Sequence, residues 1–124
     1  MRTQREPVAP SPDVPSLDLR RVEEIFKGDQ RHVQQFLEAA REEFTVLRQK
    51  LPPALADRDA ETLRYLVHKA TIMLDMLMLS ELKAYCEEAE ALLEQADDQP
   101  LEAVRQRGEQ KLDELLVALK EALR

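Results

Sequence analysis

Two histidines, His32 and His68, and one cysteine, Cys86, are the side chains of this 124-residue chain best suited to nucleophilic or metal chemistry. An imidazole is a nucleophile near neutral pH because its ordinary pKa is about 6.5. A lone cysteine cannot close an internal disulfide, and Cys86 has no metal-ligand spacing around it. No Glu-x-x-His pair suggests a di-metal bundle, and no two carboxylates stand together in an apolar setting, as a general acid would require. No cofactor or metal is expected on these grounds, and the chemistry rests on imidazole. His32 falls near the start of a helical pattern, off its apolar face, and reads as a surface residue. Cys86 falls on an apolar face and reads as a small buried hydrophobe.

His68 is different because of its place in the pattern around it. Leu63, Leu66, Val67, Ala70, Met73, Leu74 and Leu77 recur at helical spacing. At about 100° per residue they occupy a sector of roughly 120°, and His68 falls about 150° from its centre. The ring should face solvent from the middle of a long helix. Its neighbours one turn away are Arg64, Tyr65, Thr71 and Ile72, with Met76 a turn beyond Ile72. Tyr65, Ile72 and Met76 then form an apolar strip on a face expected not to reach the core, with Met73 on the core side and Met76 on the surface. A contiguous exposed apolar strip beside a nucleophile suggests a docking surface, and packing under the N-terminal tail or in a homodimer is the alternative.

The elements that must hold this helix are also helical. Leu19, Val22 and Phe26 form a short first helix that stops at Gly28, which suits the C′ position. Asp29 caps a second helix with Val33, Phe36, Leu37, Ala40, Phe44, Leu47 and Leu51 inward, and Pro52-Pro53 marks its end or a late kink. Asp59 caps the helix of His68. Ser80 caps a fourth, with Leu82, Tyr85, Cys86, Ala89, Leu92 and Leu93 on one side. A break at Asp97 to Gln99 precedes Pro100, an N1 proline that opens a last helix with Leu101, Val104, Leu112, Leu115, Leu116, Leu119 and Leu123. Gly108 interrupts that helix and should weaken it by about 1 kcal/mol relative to alanine. Four long amphipathic helices with short connections predict an all-α, up-down-up-down four-helix bundle over residues 17–124, with the short first helix as a cap. Residues 1–16, with Pro7, Pro10, Pro12 and Pro15, read as a disordered leader.

Composition agrees with helices and narrows the partners. Apolar residues make up 44% of the chain, charged ones 35%, and glycine occurs twice, which suits surface helices over sheet. Eighteen basic against 25 acidic residues leave a net charge of −7 with no basic cluster, so nucleic acid would be repelled. The N-terminus lacks the apolar core of a signal peptide, and no apolar run reaches the roughly 18 residues of a membrane span, so a cytoplasmic protein off the membrane is expected.

At this point the chain resembles a known family, the histidine phosphotransfer domains of multistep phosphorelays. The likeness runs from about Leu17 to Leu123. It is carried by Leu17-Asp18-Leu19 through Ile25-Phe26-Lys27-Gly28-Asp29, then by Ala56-Asp57-Arg58-Asp59-Ala60-Glu61-Thr62-Leu63-Arg64 leading into Leu66-Val67-His68-Lys69. Leu79-Ser80-Glu81-Leu82 and Cys86-Glu87-Glu88-Ala89-Glu90 continue it. The resemblance implies a phosphocarrier, not a self-sufficient enzyme, with His68 phosphorylated and with a response-regulator receiver domain and a hybrid histidine kinase as partners. Arg64, Tyr65, Lys69, Thr71, Ile72 and Met76 would form the docking surface. The chain departs from the family where a lysine three positions after the histidine and a glycine after that are usual; Thr71 and Ile72 stand there. A non-catalytic interaction module that keeps the fold is therefore the alternative reading.

Overall fold

The computed structural model describes residues 17–95 and 101–123. The leader at residues 1–16, the break at Asp97 to Gln99 and Pro100 lie outside them. Among the described residues there are five helices and no strand: α1 (Arg20–Ile25), α2 (Gln30–Ala56), α3 (Ala60–Met76), α4 (Ser80–Glu94) and α5 (Leu101–Ala122). The fold is all-α, as the spacing predicts.

Asp29 starts α2 by accepting from the backbone N–H groups of Arg31 and His32 at 3.0 and 3.3 Å. Asp59 starts α3 in the same way, from the Thr62 N–H at 3.1 Å. These bonds satisfy donors that have no partner within the helix. Two other expectations about boundaries need correction. Of the two readings of Pro52-Pro53, an end or a late kink, the first is overturned, because α2 continues through the pair to Ala56. Proline's fixed φ is itself helical, and its missing N–H only deprives the carbonyls four residues earlier. Leu51, Ala54 and Leu55 are buried on either side of the pair and hold the turn in place. Nor does Ser80 cap α4: Leu79 is the N-cap, with no side-chain bond, and Ser80 is the first helical residue.

The reason lies in how the helices are joined. After α1, α2 and α3 the chain makes the same turn, with Lys27, Arg58 and Met78 at φ 54°, 53° and 56°. In each turn the residue after the left-handed one donates to the carbonyl five back: Gly28 to Glu23, Asp59 to Ala54 and Leu79 to Leu74, at 2.8, 2.8 and 2.9 Å. This is the Schellman closure. Lys27, and not Gly28, therefore occupies the C′ position of α1. Leu79 is tied to α3 and packs partly buried on the core, so α4 begins directly after it.

Ion pairs between helices fix their relative directions. Lys69 reaches Glu43, Lys83 reaches Asp75, Arg107 reaches Glu88 and Lys111 reaches Glu81. Along α4 and α5 the paired numbers run oppositely, and the connections of three residues after α2 and after α3 turn each helix back along the one before it, so α2 to α5 alternate up, down, up, down. Arg48 of α2 reaches Asp113 and Glu109 of α5 and closes the ring of four helices. Leucines dominate the core, around a fully buried Phe44, and no charged side chain is buried among the described residues. α1 closes one end, with Val22 fully buried and Arg21 Nη1 donating to the Asp75 carbonyl at 3.1 Å. No helix among the described residues is long and apolar enough to cross a membrane.

Gly108 has a packing role that periodicity did not reveal. Tyr85 of α4 lies directly over it, and an added Cβ would come within 2.9 Å of ring Cε2 and nearer still to Cζ. The phenol continues past the glycine and donates to the Val104 carbonyl at 2.7 Å.

Candidate functional site: an exposed histidine on α3

Leu63, Leu66, Val67, Ala70 and Leu74 are buried and anchor one side of α3. The opposite side must then face water, and His68 is exposed there, in the middle of a helix of 17 residues. Helical geometry puts Glu61, Arg64, Ile72 and Asp75 along the same outward line, with Tyr65 and Thr71 to either side.

Tyr65 and Ile72 are 62% and 69% exposed, and they are the two most exposed large apolar side chains among the described residues. The expectation for Met76 is corrected. It is partly buried and packs against the core, because eight residues on from His68 it has rotated about 80° round the helix, to the side of Lys69. Met73 is likewise partly buried and packs on the core.

The polar neighbours differ in how firmly they are held. Lys69 Nζ lies 3.5 Å from Glu43 Oε2 on α2 and 5.9 Å from the centre of the Tyr65 ring. Thr71 is partly buried, and its hydroxyl donates to the Val67 carbonyl at 2.8 Å. Asp75 accepts from Lys83 Nζ at 2.9 Å, and that bond raises the lysine's pKa above its ordinary value. Arg64 is exposed and joins none of the ion pairs among the described residues.

Three side chains that bear on this face, Glu61, Glu43 and Asp75, were not singled out from the sequence. Glu61 and Asp75 lie seven residues before and after His68, and that spacing was the available signal. Glu43 lies on another helix and carried none.

The other candidates are engaged elsewhere. His32 Nδ1 is 2.9 Å from Asp29 Oδ2, and its ring stacks on Phe26 with centroids 5.9 Å apart. Burial pushes the Cys86 thiol up to about 12, so almost no thiolate exists at neutral pH. Burial likewise raises the pKa of Tyr85. No group of three His, Cys, Asp or Glu side chains among the described residues could hold a metal ion. A depression on the outer side of α2 is lined, among the described residues, by Glu38, Arg41, Glu42, Thr45 and Val46, with neither histidine nor cysteine.

What the α3 surface offers is one accessible nucleophilic nitrogen on a rigid support, with two exposed apolar side chains beside it. No family model, no curated protein and no solved structure matches the chain.

Proposed function

We propose that the protein is a phosphocarrier of a two-component signalling system, taking a phosphoryl group onto His68 from one receiver domain and passing it to another. The observation that supports this reading best is the setting of His68, exposed at the centre of α3 between exposed Tyr65 and Ile72. A carrier has to present its nucleophile to two different partners in turn, and a convex helix surface permits that where a cleft would not.

In the transfer, the unprotonated ring nitrogen of His68 attacks the phosphorus of the receiver's aspartyl phosphate. A phosphorus–nitrogen bond forms, the phosphorus–oxygen bond breaks, and the carboxylate leaves. The reverse sequence delivers the group to the next aspartate. Charge stabilisation of the loose transition state comes from the receiver, with its carboxylates and Mg²⁺. This chain supplies the nitrogen and the docking surface of Arg64, Tyr65, Lys69, Thr71 and Ile72, with Met76 at its margin. On this reading the bundle is of the histidine phosphotransfer type, works in the cytoplasm, needs no cofactor, and takes its phosphate from a hybrid histidine kinase through a receiver domain.

A second reading, an interaction module without transfer, is favoured by one observation. Ile72 stands 69% exposed one turn from the imidazole, where it crowds the approach of a partner. Mixing the purified protein with a phosphorylated receiver domain tests both. Acid-labile, base-stable phosphate should appear on the natural chain and on His32→Gln, and should be absent from His68→Gln with its fold intact. Label retained on His68→Gln would overturn the assignment. Receiver binding with no transfer would favour the module.

A further inference from the structure

A phosphoryl group on an imidazole nitrogen carries about −1.5 to −2 charge at neutral pH and three strong acceptor oxygens. In a chain of net charge −7 acidic side chains outnumber basic ones, so the cations within reach of the ring matter. Those on or against the outward line of His68 are Arg64 and Lys69 on α3 and, two turns away beside Asp75, Lys83 on α4. Lys69 is held by Glu43 and lies over the Tyr65 ring, and Lys83 is held by Asp75. The Thr71 hydroxyl, a neutral donor one turn from the histidine, is directed to the Val67 carbonyl. Arg64 alone of these cations has no carboxylate partner among the described residues. Glu61 lies one turn from it on the same line, yet the two form no ion pair.

Side-chain direction separates the two ends of the imidazole. Helical side chains lean toward the N-terminus, so each covers the turn before its own Cα. The His68 ring therefore lies over the turn of Arg64 and Tyr65, and Ile72 leans over His68 from the C-terminal side. A group attached to the ring finds isoleucine on one side and a guanidinium with five donors on the other.

Resting on the carrier reading above, we infer that Arg64 is the side chain that holds the phosphoryl group on His68. It does so through charge-assisted hydrogen bonds to the phosphoryl oxygens, from the turn N-terminal to the ring. Arg64 then both attracts the donor and favours the charged product.

Phosphoramidate is the probe, because it removes partner docking from the measurement. Its zwitterion already carries the proton on nitrogen. His68 attacks phosphorus, the phosphoramidate phosphorus–nitrogen bond breaks, ammonia leaves, and the ring gives up its remaining proton to solvent. Initial rates of acid-labile phosphate incorporation are followed by ³¹P NMR on the full chain. Arg64→Gln should be labelled about three- to tenfold more slowly, the range expected when one exposed charge-assisted contact is lost. Arg64→Lys should recover part of the rate, and the melting temperatures of both should match the natural chain's. Arg31→Gln, on the first turn of α2, removes the same charge far from the ring and should leave the rate unchanged. Labelling of Arg64→Gln at the natural rate would overturn the inference while leaving His68 as the carrier. So would equal slowing in Arg64→Gln and Arg31→Gln, which would mean a general effect of net charge. No label on His68 in the natural chain would remove the carrier reading and this inference together.

Discussion

Glycine in a helix interior ordinarily reads as a weakness, and at Gly108 the ring of Tyr85 reverses that reading. Alanine has the better helix propensity by about 1 kcal/mol, but its methyl would occupy space taken by the ring. Forcing an extra carbon into a packed seam costs about 1–3 kcal/mol. Gly108→Ala should therefore destabilise the protein in urea unfolding, and adding Tyr85→Ala should make the alanine favourable. Additive effects of the two changes in that cycle would mean that ring and glycine do not interact. Met76 makes a similar point. A residue wholly on the surface would accept a charge without loss of stability. Met76 packs on the core, so Met76→Glu should lower stability by about 1–3 kcal/mol as well as weaken receiver binding. Weaker binding at unchanged stability would place the side chain on the surface after all.

At the scale of elements, the same short turn recurs after α1, α2 and α3, and aspartate follows it at two of the three. The Asp59 carboxyl is held below the usual carboxylate range, first by the Thr62 hydroxyl and then by its N–H. Asp29 is lowered by the N–H and then the imidazole of His32. A carboxylate whose pKa is lower folded than unfolded contributes stability above its unfolded value of about 3.9. That contribution is lost as pH falls through the folded value. The melting temperature should thus be nearly level from pH 7 to 5 with respect to these caps, and should fall below about pH 4. Asp59→Asn keeps an acceptor at the cap but does not titrate there, so its acid decline should be shallower. A decline identical to that of the natural chain would show that the caps do not govern it.

For the whole molecule, the single thiol reports on the bundle's cohesion. Cys86 is 1% exposed and its pKa is pushed up to about 12, so a thiol reagent has neither access nor thiolate. Labelling in native buffer should be slow and should accelerate with urea in step with global unfolding. Rapid stoichiometric labelling without denaturant would mean that α4 opens independently of the rest.

Periodicity alone determined the class of fold, the four long helices and nearly all of the core, because an amphipathic helix repeats its burial every three to four residues. The aspartate caps were legible too, since a short acceptor just before an apolar run acts within its own turn. His68 on the outer face of its helix followed from the same local geometry. Contacts between helices were not accessible in this way. Glu43 drawing Lys69 toward α2, Tyr85 lying over Gly108, Met76 turning into the seam and Leu79 displacing Ser80 at the cap all depend on residues distant along the chain. Pro52-Pro53 belongs with them. Proline signals a stop from local chemistry, but the helix continues because buried leucines on both sides of the pair outweigh two missing hydrogen bonds. Local hydrogen bonding and burial period are written residue by residue, whereas the partner that occupies a lysine, or the ring that requires a glycine, exists only once the helices meet.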